Sequence, residues 1–117
     1  AHLGGMMDCL FCRIANKQIP SSVVHEDNEV MAFNDIAPQA PVHVLVIPKK
    51  HVASVDELEG MGVVKDLFAV MKKIAREKGL DRSGYRIVVN HGRDAGQAVP
   101  HLHFHLLGGR SLAWPPG

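Results

Sequence analysis

Residues 99–109, Val99-Pro100-His101-Leu102-His103-Phe104-His105-Leu106-Leu107-Gly108-Gly109, constrain the fold more than any other stretch of the chain. From His101 to His105 every second side chain is an imidazole, and Leu102, Phe104 and Leu106 between and after them are apolar. A period of two is that of a β-strand, whose side chains alternate between the faces of a sheet. Pro100 before the run and Gly108-Gly109 after it bound the element. The sequence thus predicts a strand over 99–109 with one face for packing and the other, carrying His101, His103 and His105, for chemistry.

Spacing limits what three imidazoles can do. At a rise of ~3.3 Å per residue, His101 and His105 lie roughly 13 Å apart along a strand. Zinc–nitrogen bonds are ~2 Å long, so the three cannot readily share one ion. Two neighbours could serve as i and i+2 ligands, with the third left over. The other arrangement is a nucleophile with flanking proton donors. Neutral imidazole is nucleophilic and titrates near neutrality, so one ring can attack a phosphorus centre while its neighbours move protons. The pattern fits this division of labour better.

The remaining chain must supply a sheet for that strand. A length of 117 residues suits one domain, with 46% hydrophobic and 21% charged residues, an ordinary globular balance. The net charge of +1 falls short of a nucleic-acid binder's basic footprint. No apolar run approaches the ~20 residues of a membrane span, and the start lacks a signal pattern. The expectation is a soluble, cytoplasmic chain with neither nucleic acid nor membrane as partner. A single domain is expected over 8–117, with 1–7 a disordered or vector-derived start before it.

Strands are predicted at 23–26 and 29–34, with Asp27-Asn28 as hairpin turn residues. The apolar run 43–47, bounded by prolines, reads as a central strand covered on both faces. The following Lys49-Lys50 pair reads as a solvated turn. Ser54-Val55-Asp56-Glu57 has the form of a capping box, so a helix should begin there, the main helix covering 61–78 with Gly79 at its C′ position. Val63, Leu67, Val70 and Ile74 form one apolar stripe; Val64, Phe68, Met71 and Ala75 form a second beside it. That arc is wider than one sheet requires, which predicts a second burial surface on a partner copy. Residues 85–90 alternate as a strand. The glycine-containing loop 91–98 then leads into the histidine run, and Gly92 and Gly96 let backbone amides approach an anion. Together these elements predict an α+β domain: a five-stranded, largely antiparallel sheet with one long helix and one or two short ones.

Near the start, Leu10, Phe11 and Ile14 have helical spacing, and Cys9 and Cys12 form a CxxC. A redox pair would want a thioredoxin-like βαβ context, which the pattern lacks. Half a zinc site would need two more ligands, for which His51 and His101 are available. Two small buried residues remain the alternative to zinc.

The run His101-Leu102-His103-Phe104-His105-Leu106-Leu107 resembles the signature of the histidine-triad family of nucleotide hydrolases and transferases. Gly96-Gln97, Asn34-Asp35-Ile36 and Ile47-Pro48-Lys49-Lys50-His51 also resemble family stretches, and Trp114-Pro115-Pro116-Gly117 is similar to the tail of its Hint branch, the nucleoside phosphoramidases. The resemblance implies a two-fold homodimer of this fold that hydrolyses purine (AMP-type) nucleoside 5′-phosphoramidates through a covalent nucleotidyl-histidine. It implies His103 as nucleophile, with His105 and His101 flanking it. Leu10, Phe11, Ile14, Phe33 and Ile36 match the family's apolar base slot, and Asp35 its ribose grip. Asn90, Gln97 and backbone amides around Gly96 and Val99, with His103 and His105, would hold the phosphate. Trp114 would reach the partner's leaving-group pocket. Some members carry zinc on a pattern similar to Cys9, Cys12, His51 and His101, so a structural zinc is the one metal expected, with none required for catalysis. Two positions depart from the Hint pattern: Ala98 stands where a serine is common, and Pro100 where an aromatic residue is. Rival readings are a nucleotidyl transferase, which would show glutamine at the His105 position, a dinucleoside polyphosphate hydrolase, and a nucleotide-binding scaffold with incidental catalysis.

Overall fold

The computed structural model describes residues 9–117, so the expectation for 1–7 lies outside the described residues. In chain order the elements are α1 (Leu10–Ala15), β1 (Val23–Glu26), β2 (Val30–Asn34), β3 (Val42–Pro48), a single 3₁₀ turn (Val55–Glu57), α2 (Gly62–Glu77), α3 (Leu80–Ser83), β4 (Tyr85–Val89) and β5 (Phe104–Gly108). The strands form one sheet in the order β1-β2-β3-β5-β4, and every neighbouring pair is antiparallel. The expected α+β class and five-stranded sheet are therefore present. No helix among the described residues is long and apolar enough to cross a membrane.

Alternation along the strands builds two cores. Val30, Ala32, Val44, Val46, Phe104 and Leu106 face α2, where they meet Leu67, Val70, Met71, Ile74 and Ala75. Their sequence neighbours Met31, Phe33, Leu45 and Ile47 face the opposite way and pack with Phe11, Cys12 and Ile14 of α1. Covered on both faces, β3 sits at the centre of the sheet, as its unbroken apolar run requires. Full burial of Leu67, Met71 and Ile74 contributes about 1.5–3 kcal/mol each.

Three expectations are corrected. The capping box closes only the 3₁₀ turn: Ser54 Oγ accepts from the Asp56 amide at 3.3 Å, but Gly60, at φ +88°, turns the chain before α2 begins. Gly79 does hold the left-handed position after α2, at φ +74°. Second, much of the α2 arc is covered within the chain: Leu67, Val70 and Ile74 of the first stripe and Met71 and Ala75 of the second are buried, with Val63 packed part-buried beside them. Val64 is half-buried and Phe68 exposed, so only that end of the arc is left for a second surface. Third, the histidine run is a strand only from Phe104 onward. Continuing the β3–β5 register would set Leu102 against Pro48, which has no amide hydrogen, and the Pro48 carbonyl already accepts from His101 Nε2 at 2.8 Å. The Leu102 amide bonds to the Val52 carbonyl instead, and 101–103 runs on outside the ladder.

Candidate active site

Hydrogen bonds, to the backbone or to a neighbouring ring, fix the tautomer of each histidine of the run. His103 Nδ1 lies 2.7 Å from the carbonyl of His101. A carbonyl only accepts, so Nδ1 carries the proton and Nε2 keeps its lone pair. The ring is buried, with Phe11 edge-on at 5.0 Å and His105 at 5.1 Å between centroids. In the neutral ring, His103 Nε2 thus keeps a lone pair that no hydrogen bond among the described residues occupies.

A second ring sets His105. His43 Nδ1 accepts the Gln39 amide at 3.0 Å, so its proton resides on Nε2. That N–H donates to His105 Nδ1 at 2.9 Å, with Asp35 Oδ2 at 3.4 Å from the same nitrogen. His105 is left with its proton on Nε2. Burial, reinforced by the His103 and His43 rings, pushes the His105 pKa down to about 4, and burial likewise lowers that of His43 despite the Asp35 carboxylate. With both rings neutral, the hydrogen bonds leave a lone pair on His103 Nε2 beside an N–H on His105 Nε2. Asp35 itself is a turn cap as well, its Oδ1 accepting the Ala37 amide at 2.8 Å.

His101 stands apart from its two neighbours, with both ring nitrogens engaged. Its ring is fully buried: Nε2–H donates to Pro48 O, and Nδ1 faces Cys9 Sγ at 3.3 Å and Cys12 Sγ at 3.4 Å. The group that reaches His103 is the His101 carbonyl. His51 Nδ1 lies 3.2 Å from Cys12 Sγ, and one donor atom from each of Cys9, Cys12, His51 and His101 falls within 4.8 Å of the others. Bonds of ~2.3 Å to sulfur and ~2.0 Å to nitrogen imply tetrahedral edges of ~3.5 Å, close to these separations. Burial, then the neighbouring Cys9, pushes the Cys12 thiol up to about 12, which a dication among the sulfurs would reverse. Two thiols and two imidazole nitrogens, with His101 Nδ1 already stripped of its proton, make a donor set that fits zinc. Such an ion would be structural, fastening α1 to the segment that holds His103.

Apolar and loop residues complete the site. Phe11, Ile14 and Phe33 are buried together, with the Phe11 and Phe33 rings 5.5 Å apart, whereas Leu10 and Ile36 are exposed. In the loop, the Gly96 amide donates to Arg93 O and the Gln97 amide to Gly92 O. The Gln97 side chain is also engaged, its Nε2 donating to Ala53 O at 2.8 Å and Val99 O at 3.1 Å while Oε1 accepts from the Gly92 amide. Gly96 and Gln97 therefore shape the loop and have no donor left for an anion. Among the described residues, the amides of Ala98 and Val99 make no hydrogen bond, and the Asn90 side chain makes none. Lys49 pairs with Glu26 at 2.8 Å, in keeping with a solvated turn.

Against known proteins, the HIT domain profile matches residues 16–112. The chain belongs to the HIT family. An uncharacterized HIT-like protein of Synechococcus elongatus is 51% identical over 112 residues, covering 94% of this chain and 97% of the relative. A HIT family hydrolase from Legionella pneumophila superposes with a TM-score of 0.92 at 47% identity, covering 94% of this chain and all of the other. A histidine triad nucleotide-binding protein from Candida albicans gives 0.82 at 36% identity, over 92% of this chain and 83% of its own.

Within this HIT fold, the residue that sequence reasoning missed is His43. It opens an apolar run and breaks no pattern, so only the register, in which His43 faces Leu107 and Leu45 faces His105, places it diagonally beside the third histidine of the run. A polar residue at the head of a buried strand was the available signal. Trp114 is 78% exposed and lies over Arg86 of β4 at 5.9 Å, while the Arg86 guanidinium donates to Ala113 O at 3.0 Å.

Proposed function

We propose that this HIT protein is a nucleoside phosphoramidase of the Hint type, cleaving the P–N bond of purine nucleoside 5′-phosphoramidates. The observation that carries the reading is the pair of fixed tautomers, a lone pair on His103 Nε2 beside an N–H on His105 Nε2. The relatives described as a hydrolase and as a nucleotide-binding protein agree with it. In the first step His103 Nε2 bonds to the α-phosphorus as the P–N bond breaks, and the amine departs with a proton passed through His105, which solvent reprotonates. In the second, water attacks phosphorus and gives up a proton to solvent, the His103–P bond breaks, and the nucleoside monophosphate leaves with the ring restored. Splitting the displacement this way replaces one hard step with two easier ones. His105 Nε2–H donates to the phosphoryl or leaving group, and the Ala98 and Val99 amides with Asn90 receive the charge that develops on phosphorus. The base lies against Phe11, Ile14 and Phe33 between Leu10 and Ile36, and Asp35 takes the ribose hydroxyls.

A two-fold dimer belongs to this reading. Its support is the outer edge of β4, where Tyr85 and Val89 are exposed, and exposed Phe68, which packs on Phe104 at 5.6 Å. A second copy pairing there would close the open edge and bring Trp114 to the partner's site. Rapid quench with adenosine 5′-phosphoramidate followed by mass spectrometry tests the chemistry. An adenylyl adduct on His103, absent in an inactive His103→Ala that still binds AMP, is the expected result; full turnover by that variant would refute it.

A further inference from the structure

The candidate phosphate loop is closed by hydrogen bonds of its own, and two further side-chain hydrogen bonds tie it to the body of the protein. Its internal bonds, from Gly96 to Arg93 and between Gly92 and Gln97, make a compact unit. Two side chains tie that unit to the segment after His51. Gln97 Nε2 reaches Ala53 O near the downstream end, and His91 Nδ1 lies 2.8 Å from Ser54 Oγ at the upstream end. Ser54 is a firm anchor. It is buried, and its oxygen already accepts the Asp56 amide of the 3₁₀ turn. One tie would let the loop pivot; two attachments at opposite ends fix its orientation. The amides of Ala98 and Val99 follow Gln97 directly, and Asn90 precedes His91, so both groups that face the phosphate depend on that orientation.

We infer that His91 is a positioning residue: bonded to Ser54, it holds the phosphate loop so that the Asn90 side chain and the Ala98 and Val99 amides converge on the phosphoryl group. The inference rests on the phosphoramidase reading. His91 is exposed and belongs to neither core, so its role is separable from folding. Its bond acts on the charged part of the substrate alone, because the base slot and Asp35 lie on other elements.

The test compares wild type with His91→Ala and His91→Asn. Affinities for adenosine and AMP are measured by calorimetry, kcat and KM with adenosine 5′-phosphoramidate, and melting by circular dichroism. His91→Ala should leave adenosine affinity and Tm near wild type. AMP affinity and kcat/KM should fall about five-fold, the consequence of losing one net hydrogen bond of ~1 kcal/mol. His91→Asn, which offers an amide at the position of Nδ1, should recover most of the loss. In a double-mutant cycle, Ser54→Ala should add little to the AMP deficit of His91→Ala. Wild-type AMP affinity and turnover in His91→Ala would overturn the inference, as would equal losses for adenosine and AMP, the mark of general loosening. A wild-type protein that binds adenosine and AMP equally and turns over no phosphoramidate would instead overturn the functional reading, and this inference with it.

Discussion

Acid should destabilise this fold through His105, and the variant that isolates the effect is His105→Gln. In the folded chain the His105 pKa is pushed from the ordinary 6.5 down to about 4, first by burial and then by the neighbouring His103 and His43 rings. Between those values the unfolded chain binds a proton at this position that the folded chain refuses. Stability follows the difference in bound protons, so the contribution is fully present above about pH 6.5 and is lost as pH falls toward about 4. At ~1.4 kcal/mol for each pH unit the ceiling is about 3 kcal/mol, and residual contact with solvent reduces this to ~2 kcal/mol. Urea unfolding at a fixed protein concentration, stepped from pH 7.5 to 4.5, measures it. The wild type should lose ~2 kcal/mol more than His105→Gln over that range, and a histidine resonance titrating near 4 should vanish in the variant. Parallel stability curves for the two proteins, or a His105 resonance that titrates at 6.5, would refute burial as the source of acid sensitivity.

Replacing His43 by Phe removes the donor that sets His105, so kcat should fall about ten-fold with KM little changed, as steady-state kinetics would show. Metal analysis should find about one zinc per chain, and chelation or Cys12→Ser should lower Tm measurably in differential scanning calorimetry. Lys17 holds a left-handed φ of +60° just past the end of α1, so Lys17→Gly should stabilise the chain by ~0.5 kcal/mol in urea despite losing the surface pair with Glu26. Val89→Lys on the exposed edge of β4 should halve the sedimenting mass of the proposed dimer at micromolar concentration.

The parts of this fold written in local patterns were legible in the sequence. β1, β2, β3 and β4 lie within a residue of their predicted bounds because alternation and turn residues sit next to one another in the chain. The cysteine pair and His51 with His101 were readable for a related reason, since ligand chemistry narrows the partners to few residue types. What escaped depends on register and on hydrogen bonds between distant segments. His101 shares the alternation of its two neighbours, and the Pro48 carbonyl that fixes its Nε2 comes from a strand end no local pattern links to it. Gly96 and Gln97 read as anion donors in the sequence, but their amides close the loop, and the amides left without a hydrogen bond are those of Ala98 and Val99. The α2 stripes read as broad for one sheet because residues that help to cover them, Leu80 on α3 and Leu102 just before β5, lie outside the sheet and far along the chain from α2's partners β2 and β3.

The proline that ends β3 divides the histidine run into two mechanical regimes. His105 rides on the ladder, where backbone bonds to both neighbouring strands set its place. His101 and His103 lie on a strut outside it, located by side-chain bonds and by the Leu102 amide. Substitutions on the strut and the loop before it leave the sheet's register untouched. Ala98 and Pro100, the two departures from the Hint pattern, both fall there. On the proposed phosphoramidase reading, substitutions on the leaving-group side of the site can therefore be made while His105 and His43 keep their places on the sheet.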